Sequence, residues 1–426
     1  MSDTEICNLR ARRIWDSRGH PTIEVEIYLK GGAVGRGIAP SGASCGTHEA
    51  KDLRDGGSRF GGYDVTRAIQ GIELEIAEIL KGQDASNQRN IDRLLIELDG
   101  TPDKKRLGGN ATIATSFAAA HAVANAQNMP LWRYLGGENE AFLPLPEIQI
   151  FGGGVHANNR VDIQDFMVIP VGARRFSEAL NWTAEVYIAA RKLLEGTGKL
   201  VGVADEGGFW PMFDSNEDGI RYLVQAIEDA GFTPGQDIAI SLDVAASEFY
   251  KNGRYRLMKE DADLDSDGLC AMLINWIERY PICSIEDPLA ENDFDGMVRF
   301  TWAVRNRVQV IGDDFLVTNA KKIRAAIASH ACNALLVKPN QAGTLTETRA
   351  AFETAKTSNM GCVVSARSGE TEDTSIIHLA VGWGAPQIKV GSFSRSERMA
   401  KWNEGLRIEE ALQGGFLPPR SIFPWR

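Results

Sequence analysis

Six short apolar runs in the second half of this 426-residue chain each carry, at or near their end, a side chain able to do chemistry. They are IAISLD with Asp243, ICSIED with Glu286, VQVIGDD with Asp313, ALLVK with Lys338, CVVSAR with Arg367 and PQIK with Lys389. Three carboxylates brought to close quarters repel one another unless a cation neutralises them. Oxygen donors without Cys or His favour a hard divalent ion, Mg²⁺ first. A lysine at the end of an apolar strand beside such an ion has its ammonium form disfavoured, so Lys338 suits a base working near neutral pH. The alternatives are plainer: each acid caps the loop or helix that follows it, and Lys338 is a charge partner for the acids.

Other stretches add to this set. In ADEGGFWP (204–211), Glu206 stands on a glycine-supported turn, where Phe209 and Trp210 could keep it protonated as an acid. Acid–glycine clusters also mark ordinary turns. In VVSARSGETEDT (363–374) an arginine and a serine follow a strand, and Lys389 adds a second cation. Together with Ser44 of PSGASCG (40–46), these groups could seat phosphate and carboxylate groups. DLDSDG (263–268) starts like a calcium loop, but Ile274 stands where the twelfth position needs a bidentate Glu. It reads as an acidic surface turn.

The six functional residues are spaced 22 to 43 residues apart, enough for a strand, a loop and a helix in each unit. Such repetition predicts a closed barrel of parallel strands whose C-terminal ends share one mouth. An open doubly wound sheet is the alternative. Residues 1–137 read as a smaller α+β unit and 138–426 as the barrel, joined by the Gly- and Pro-bearing stretch 135–148. In the first unit, TIEVEIYL (22–29) alternates as a half-buried strand does, and 111–127 is an alanine-rich buried helix. A net charge of -11 argues against nucleic acid or an anionic membrane as the main partner. The six scattered cysteines and a start without a signal-peptide layout lead to the expectation of a cytoplasmic protein.

DSRGHPTIEVEI (16–27), PSGASCGTHEA (40–50), GGGVHANN (152–159), IQDFMVIPVGA (163–173) and ADEGGF (204–209) resemble, in order, the enolase family. So do SLDVAASEFY, SIEDPLAEND, GDDFLVTN, SARSGETEDT and RSERMAKWNEGLRIEEAL, making the correspondence nearly end to end. The resemblance implies an α/β fold, an enolase-like β/α barrel with a smaller N-terminal α+β domain, and a homodimer or higher homo-oligomer. It implies Mg²⁺ on Asp243, Glu286 and Asp313, with a second ion entering with substrate at the mobile loop of Ser44. Lys338 corresponds to the base that removes the C2 proton, and Glu206 to the acid that helps the C3 hydroxyl leave. Arg367 and Ser368 correspond to phosphate contacts, Lys389 to a contact with the substrate carboxylate, and His156 to a second closing loop.

The departures cluster at the chemistry. Ala366 stands where the family has His, and Gln164-Asp165 where it has Gln-Glu. Cys45, Gly152 and Ala204 replace Thr, Asn and Gly, Pro339 and Ala342 stand at positions the family fills differently, and the tail 414–426 offers no usable resemblance. The missing imidazole and the shortened acid belong, by the resemblance, to the end of the site around the departing C3 hydroxyl. Losing an acid–base group typically costs about 10²–10⁴-fold. The reading that follows is retained proton abstraction on a small phosphorylated or phosphonylated three-carbon carboxylate, with a leaving group larger than hydroxide. Carboxyphosphonoenolpyruvate synthase chemistry in phosphinate biosynthesis is one example. Ordinary dehydration of 2-phosphoglycerate and a non-catalytic scaffold on the same fold are the competing readings.

Overall fold

The computed structural model describes residues 3–43, 46–137, 141–158 and 160–425, with Val155 and His156 described by backbone alone. The first unit is an antiparallel sheet in the order β1 (Ile6–Trp15), β2 (Pro21–Leu29), β3 (Val34–Ile38). Residues of β2 are buried on both faces, where alternation predicted half burial. One face is covered by the buried helix Gly109–Ala126, which lies within contact of β3 because Gly35 and Gly37 have no side chains. A Cβ at Gly35 would lie 2.0 Å from the Ala122 nitrogen, and one at Gly37 2.2 Å from the Ala114 carbonyl. On the other face Glu24 and Glu26 are covered by cross-strand pairs with Arg12 and Arg36, which is how charged residues come to be buried there.

The second unit begins with β4 (Leu145–Gly152) and β5 (Asp165–Ile169). A hairpin of β6 (Leu200–Val203) and β7 (Phe209–Pro211) attaches beside β4 through Phe151 and Phe209. After β8 (Ala239–Asp243) comes a small meander of β9 (Tyr250–Lys251), β10 (Arg254–Leu257) and β11 (Ala262–Leu264). The last five strands are β12 (Ile282–Glu286), β13 (Gln309–Gly312), β14 (Ala334–Val337), β15 (Gly361–Ser365) and β16 (Gln387–Ser392). Pairing runs β4-β5-β8-β12-β13-β14-β15-β16 and returns from β16 to β4, so eight strands close a barrel and the open sheet is excluded.

The repeat pattern predicted a barrel of parallel strands throughout, and one strand departs from it. β5 runs antiparallel to both β4 and β8. Among the described residues no crossover helix of ordinary length separates β4 from β5, only a single 3₁₀ turn at Gly154–Ala157, and without a crossover the chain returns in the opposite sense. The reversal matters for the site. Asp165 opens β5 instead of ending it, yet pairs with Asp243 at the end of β8 and so reaches the same mouth.

The DLDSDG stretch forms the end of β11 and the start of helix Ser266–Arg279, where Asp265 accepts from the Gly268 N–H at 2.8 Å. It is a helix cap. The tail runs past the opposite end of the barrel: Phe416, Leu417, Phe423 and Trp425 line a cavity with Leu145 and Val171. Among the described residues no helix is long and apolar enough to cross a membrane.

Candidate active site

The strand ends place Asp243, Glu286, Asp313, Lys338 and Lys389 at one mouth, all buried. Lys389 Nζ lies 2.8 Å from Asp243 Oδ2, 2.8 Å from Glu286 Oε2 and 3.5 Å from Asp165 Oδ2. Burial works against its ammonium, but Asp243 and Glu286 outweigh that and hold its pKa well above the ordinary lysine value. Glu286 is also pushed well above the ordinary carboxylate value, first by burial and then by repulsion from Asp243. Gln164 Nε2 donates to Asp243 Oδ2 at 3.1 Å. Asp313 belongs to a second group, in which Lys338 pairs with its Oδ2 and Gln341 Nε2 donates to its Oδ1 at 2.8 Å.

The Lys338 ammonium is therefore held differently from the sequence expectation. Burial opposes its charge, yet Asp313 and Glu286 raise its pKa above the ordinary value. The expected depression assumed a divalent cation taking up those acids. The donor set fits such an ion: Asp243, Glu286 and Asp313 are oxygen donors on adjacent strands. Oε1 of buried Glu286 has no hydrogen-bond partner among the described residues. A closer acidic group lies alongside, with Asp287, Asp313 and Asp314 offering oxygens within 4.8 Å of one another. Burial and Asp313 lift Asp314 to about 8, while Asp287 accepts from the Asp313 and Asp314 N–H groups at 2.9 and 2.7 Å.

The side of the mouth that carries Arg367 and Ser368 is assembled from both units. Arg367 Nη1 lies 2.9 Å from Glu49 Oε2 and 3.0 Å from Asn340 Oδ1. Ser368 Oγ accepts from the Ala43 N–H at 2.6 Å and from Arg18 Nη1 at 3.3 Å. Ser41 and Gly369 exchange backbone hydrogen bonds of 2.9 and 2.8 Å, so the first unit closes directly on the turn after β15. Behind it, the fully buried Arg398 donates to the carbonyls of Arg367 and Ser368 at 2.6 Å and of Val390 at 2.8 Å. Glu206 is buried, and its carbonyl accepts from the Ser392 N–H at 2.8 Å. Phe209 stacks on Tyr187 at 4.3 Å. Ser44 and Cys45 lie outside the described residues, as does the side chain of His156.

Sequence reasoning did not single out Glu49, Arg18, Gln149, Gln341 or Arg398. Glu49, Arg18 and Arg398 fall within the quoted motifs, and polar residues packed into such motifs are a usable signal. Gln149 has none.

Two family models match the chain: "Enolase, N-terminal domain" over residues 6–135 and "Enolase, C-terminal TIM barrel domain" over 140–416. Together they cover nearly the whole sequence. The chain belongs to the enolase family. It is similar to Enolase 1 of Desulfitobacterium hafniense (strain Y51), at 49% identity over 427 residues, covering 99% of this chain and 98% of that protein. It is thus an enzyme of the enolase superfamily, a carbon–oxygen lyase by family.

Against enolases, the departures at the mouth have visible packing consequences. Ala366 is buried, with its N–H donating to the Lys389 carbonyl at 2.9 Å. Asp165, one methylene shorter than Glu, is gripped by Gln149, whose Nε2 donates to Oδ1 while its Oε1 accepts from the Gly208 N–H at 2.8 Å. Gly152 and Ala204 are matched: a Cβ at Gly152 would lie 2.6 Å from the Ala204 methyl. Pro339 takes the first position of the short turn Pro339–Ala342, where its missing N–H costs nothing. It also favours the extended backbone of Lys338 (φ -117, ψ 104).

Proposed function

We propose that this enolase-family enzyme abstracts the C2 proton of a small phosphorylated or phosphonylated three-carbon carboxylate and expels a C3 group larger than hydroxide. Lys338 is the base, and Asp243, Glu286 and Asp313 would hold Mg²⁺, which would supply positive charge for the substrate carboxylate. Lys389 faces that carboxylate, Arg367 and Ser368 bind the phosphorus group, and Glu206 serves as the acid toward the departing group. Gln164 and Asp165 line the same end, Ser44 brings in a second Mg²⁺ and His156 closes a loop. The assembly is a cytoplasmic homodimer or higher homo-oligomer, with the two domains meeting near residue 137.

One observation carries the altered leaving group. Asp165 is both shortened and bound back by Gln149, while a methyl at Ala366 stands in place of an imidazole. By the resemblance both positions belong to the end of the mouth around the C3 group, where both side chains are smaller than the family's, while the residues matched to phosphate and metal are kept. Carboxyphosphonoenolpyruvate synthase-type chemistry is the example this reading fits. The second reading, dehydration of 2-phosphoglycerate to phosphoenolpyruvate, is favoured by 49% identity to a protein named Enolase 1. A scaffold role is disfavoured, because Lys338 and the acids Asp243, Glu286 and Asp313 are costly to keep buried at the mouth without use.

Turnover of 2-phosphoglycerate with excess Mg²⁺, followed by phosphoenolpyruvate absorbance, decides between the enzymes. The proposal expects negligible turnover from a folded, Mg²⁺-binding protein. A kcat of about 1–10³ s⁻¹ makes the enzyme an ordinary enolase.

A further inference from the structure

The barrel interior below the mouth is divided into two halves. Side chains alternate across a strand, so residues two or four positions before a mouth-facing residue point inward with it. On that rule Ser241 lies below Asp243, Ser284 below Glu286, Gln309 below Asp313 and Gln387 below Lys389. Glu147 is the register partner of Lys389 on β4. The other half of the interior is a closed apolar cluster of Ile311, Ala334, Leu336 and Val363.

The polar half is fully buried, each of its five residues being 0% exposed. Among the described residues, Ser241 Oγ, Ser284 Oγ and both amide ends of Gln309 and Gln387 have no hydrogen-bond partner. Both carboxyl oxygens of Glu147 are in the same position. Ser241 lies near enough to Glu147 to ease the cost of its ionisation, but the two groups do not reach hydrogen-bond geometry. Register ties the set together: Ser284 stands opposite both Ser241 and Gln309, and Gln387 opposite Val363 at the edge of the apolar half.

An unpaired buried polar group costs about 1–3 kcal/mol, so eight such atoms together exceed what a domain can tolerate. An ordered water costs about 0–2 kcal/mol and satisfies two to four groups. We infer that the barrel core holds a file of ordered water molecules between Glu147, Ser241, Ser284, Gln309 and Gln387, running from beneath Lys389 to the barrel floor. A monovalent cation is the competing ligand for so many oxygens. The Lys389 ammonium above it and the amide N–H donors of Gln309 and Gln387 within the set disfavour a positive ion. The tail residues beyond Leu145 cover the barrel end below, which suits trapped water better than an exchanging ion.

The test is a crystal structure of the full chain near 1.2 Å, paired with oxygen-17 relaxation dispersion, which counts long-lived waters in solution. The wild type should show waters at about 2.7–3.1 Å from the Glu147 carboxyl and from at least two of Ser284, Gln309 and Gln387. Glu147→Gln should keep the file, and Glu147→Leu should remove at least one long-lived water from the dispersion amplitude. Should Glu147→Leu fail to fold, Gln387→Leu gives the same comparison. Direct pairing of these side chains with no water between them overturns the inference. So does an unchanged water count in the leucine variant, or density with cation-like contacts that respond to exchange of Na⁺ for K⁺. None of these readouts depends on the reaction the enzyme catalyses.

Discussion

The Ala204 methyl occupies the room into which a side chain at Gly152 would grow, with only 2.6 Å between that methyl and a Cβ built at Gly152. Two departures that look independent in the sequence are one packing decision. Overpacking typically costs about 1–3 kcal/mol. Gly152→Ala alone should therefore destabilise by about that amount, and Ala204→Gly in the same chain should recover most of it. Denaturant midpoints of the two single variants and the double variant, compared as a cycle, give the coupling. Additive effects would refute it.

On the proposed function Asp165 and Ala366 set the end of the site around the leaving group, and they should behave as a pair. Ala366→His with Asp165→Glu should raise 2-phosphoglycerate turnover by about 10²-fold or more. The gain should be larger still when Gln149 is also shortened to Asn, because Gln149 now bonds to Asp165 and stands in the way of a longer acid. Steady-state kinetics of the double and triple variants test this. A wild type already at full rate, with no gain on restoration, defeats it.

Glu49 is the buried counter-ion of Arg367, with each side chain no more than 4% exposed. Removing one partner of such a pair typically costs about 3–5 kcal/mol. Glu49→Ala should lower the midpoint of thermal unfolding accordingly, and inorganic phosphate should restore more stability to the variant than to the wild type. Equal phosphate effects on both proteins would show that Arg367 does not take the anion.

Far from the mouth, Glu217 accepts from Arg279, Tyr280 and Trp276, and its pKa falls from 4.5 to about 2, chiefly through Arg279. A depressed carboxylate pKa stabilises the fold above pH 4.5, and that contribution is lost as pH falls from there toward 2. The group is partly exposed, so solvent screening limits the effect to about 1 kcal/mol. Glu217→Gln should lose that much at pH 7 and match the wild type near pH 2, measured by urea unfolding at both values. A penalty that persists at pH 2 would assign the effect to packing.

Much of this protein was legible in its sequence. Short apolar runs ending in polar or charged residues predicted strands, their spacing predicted a barrel, and the order of motifs predicted the family. These properties follow from local patterning, in which each run carries its own signal. The direction of β5 was not legible, because five residues read the same way in either sense and only the short connection from β4 decides it. The grip of Gln149 on Asp165, the match of Gly152 with Ala204 and the pairing of Glu49 with Arg367 were equally hidden. Each joins residues 16 to 318 positions apart, and no single stretch records what will stand beside it once the strands close. The clearest case is charge. The sequence determined that Lys338, Lys389 and the three acids would meet, since each stands at or near the end of an apolar run and the runs form one barrel. Only the tertiary structure decided which acid each lysine holds, because that depends on distances of a few ångströms across a mouth of low dielectric.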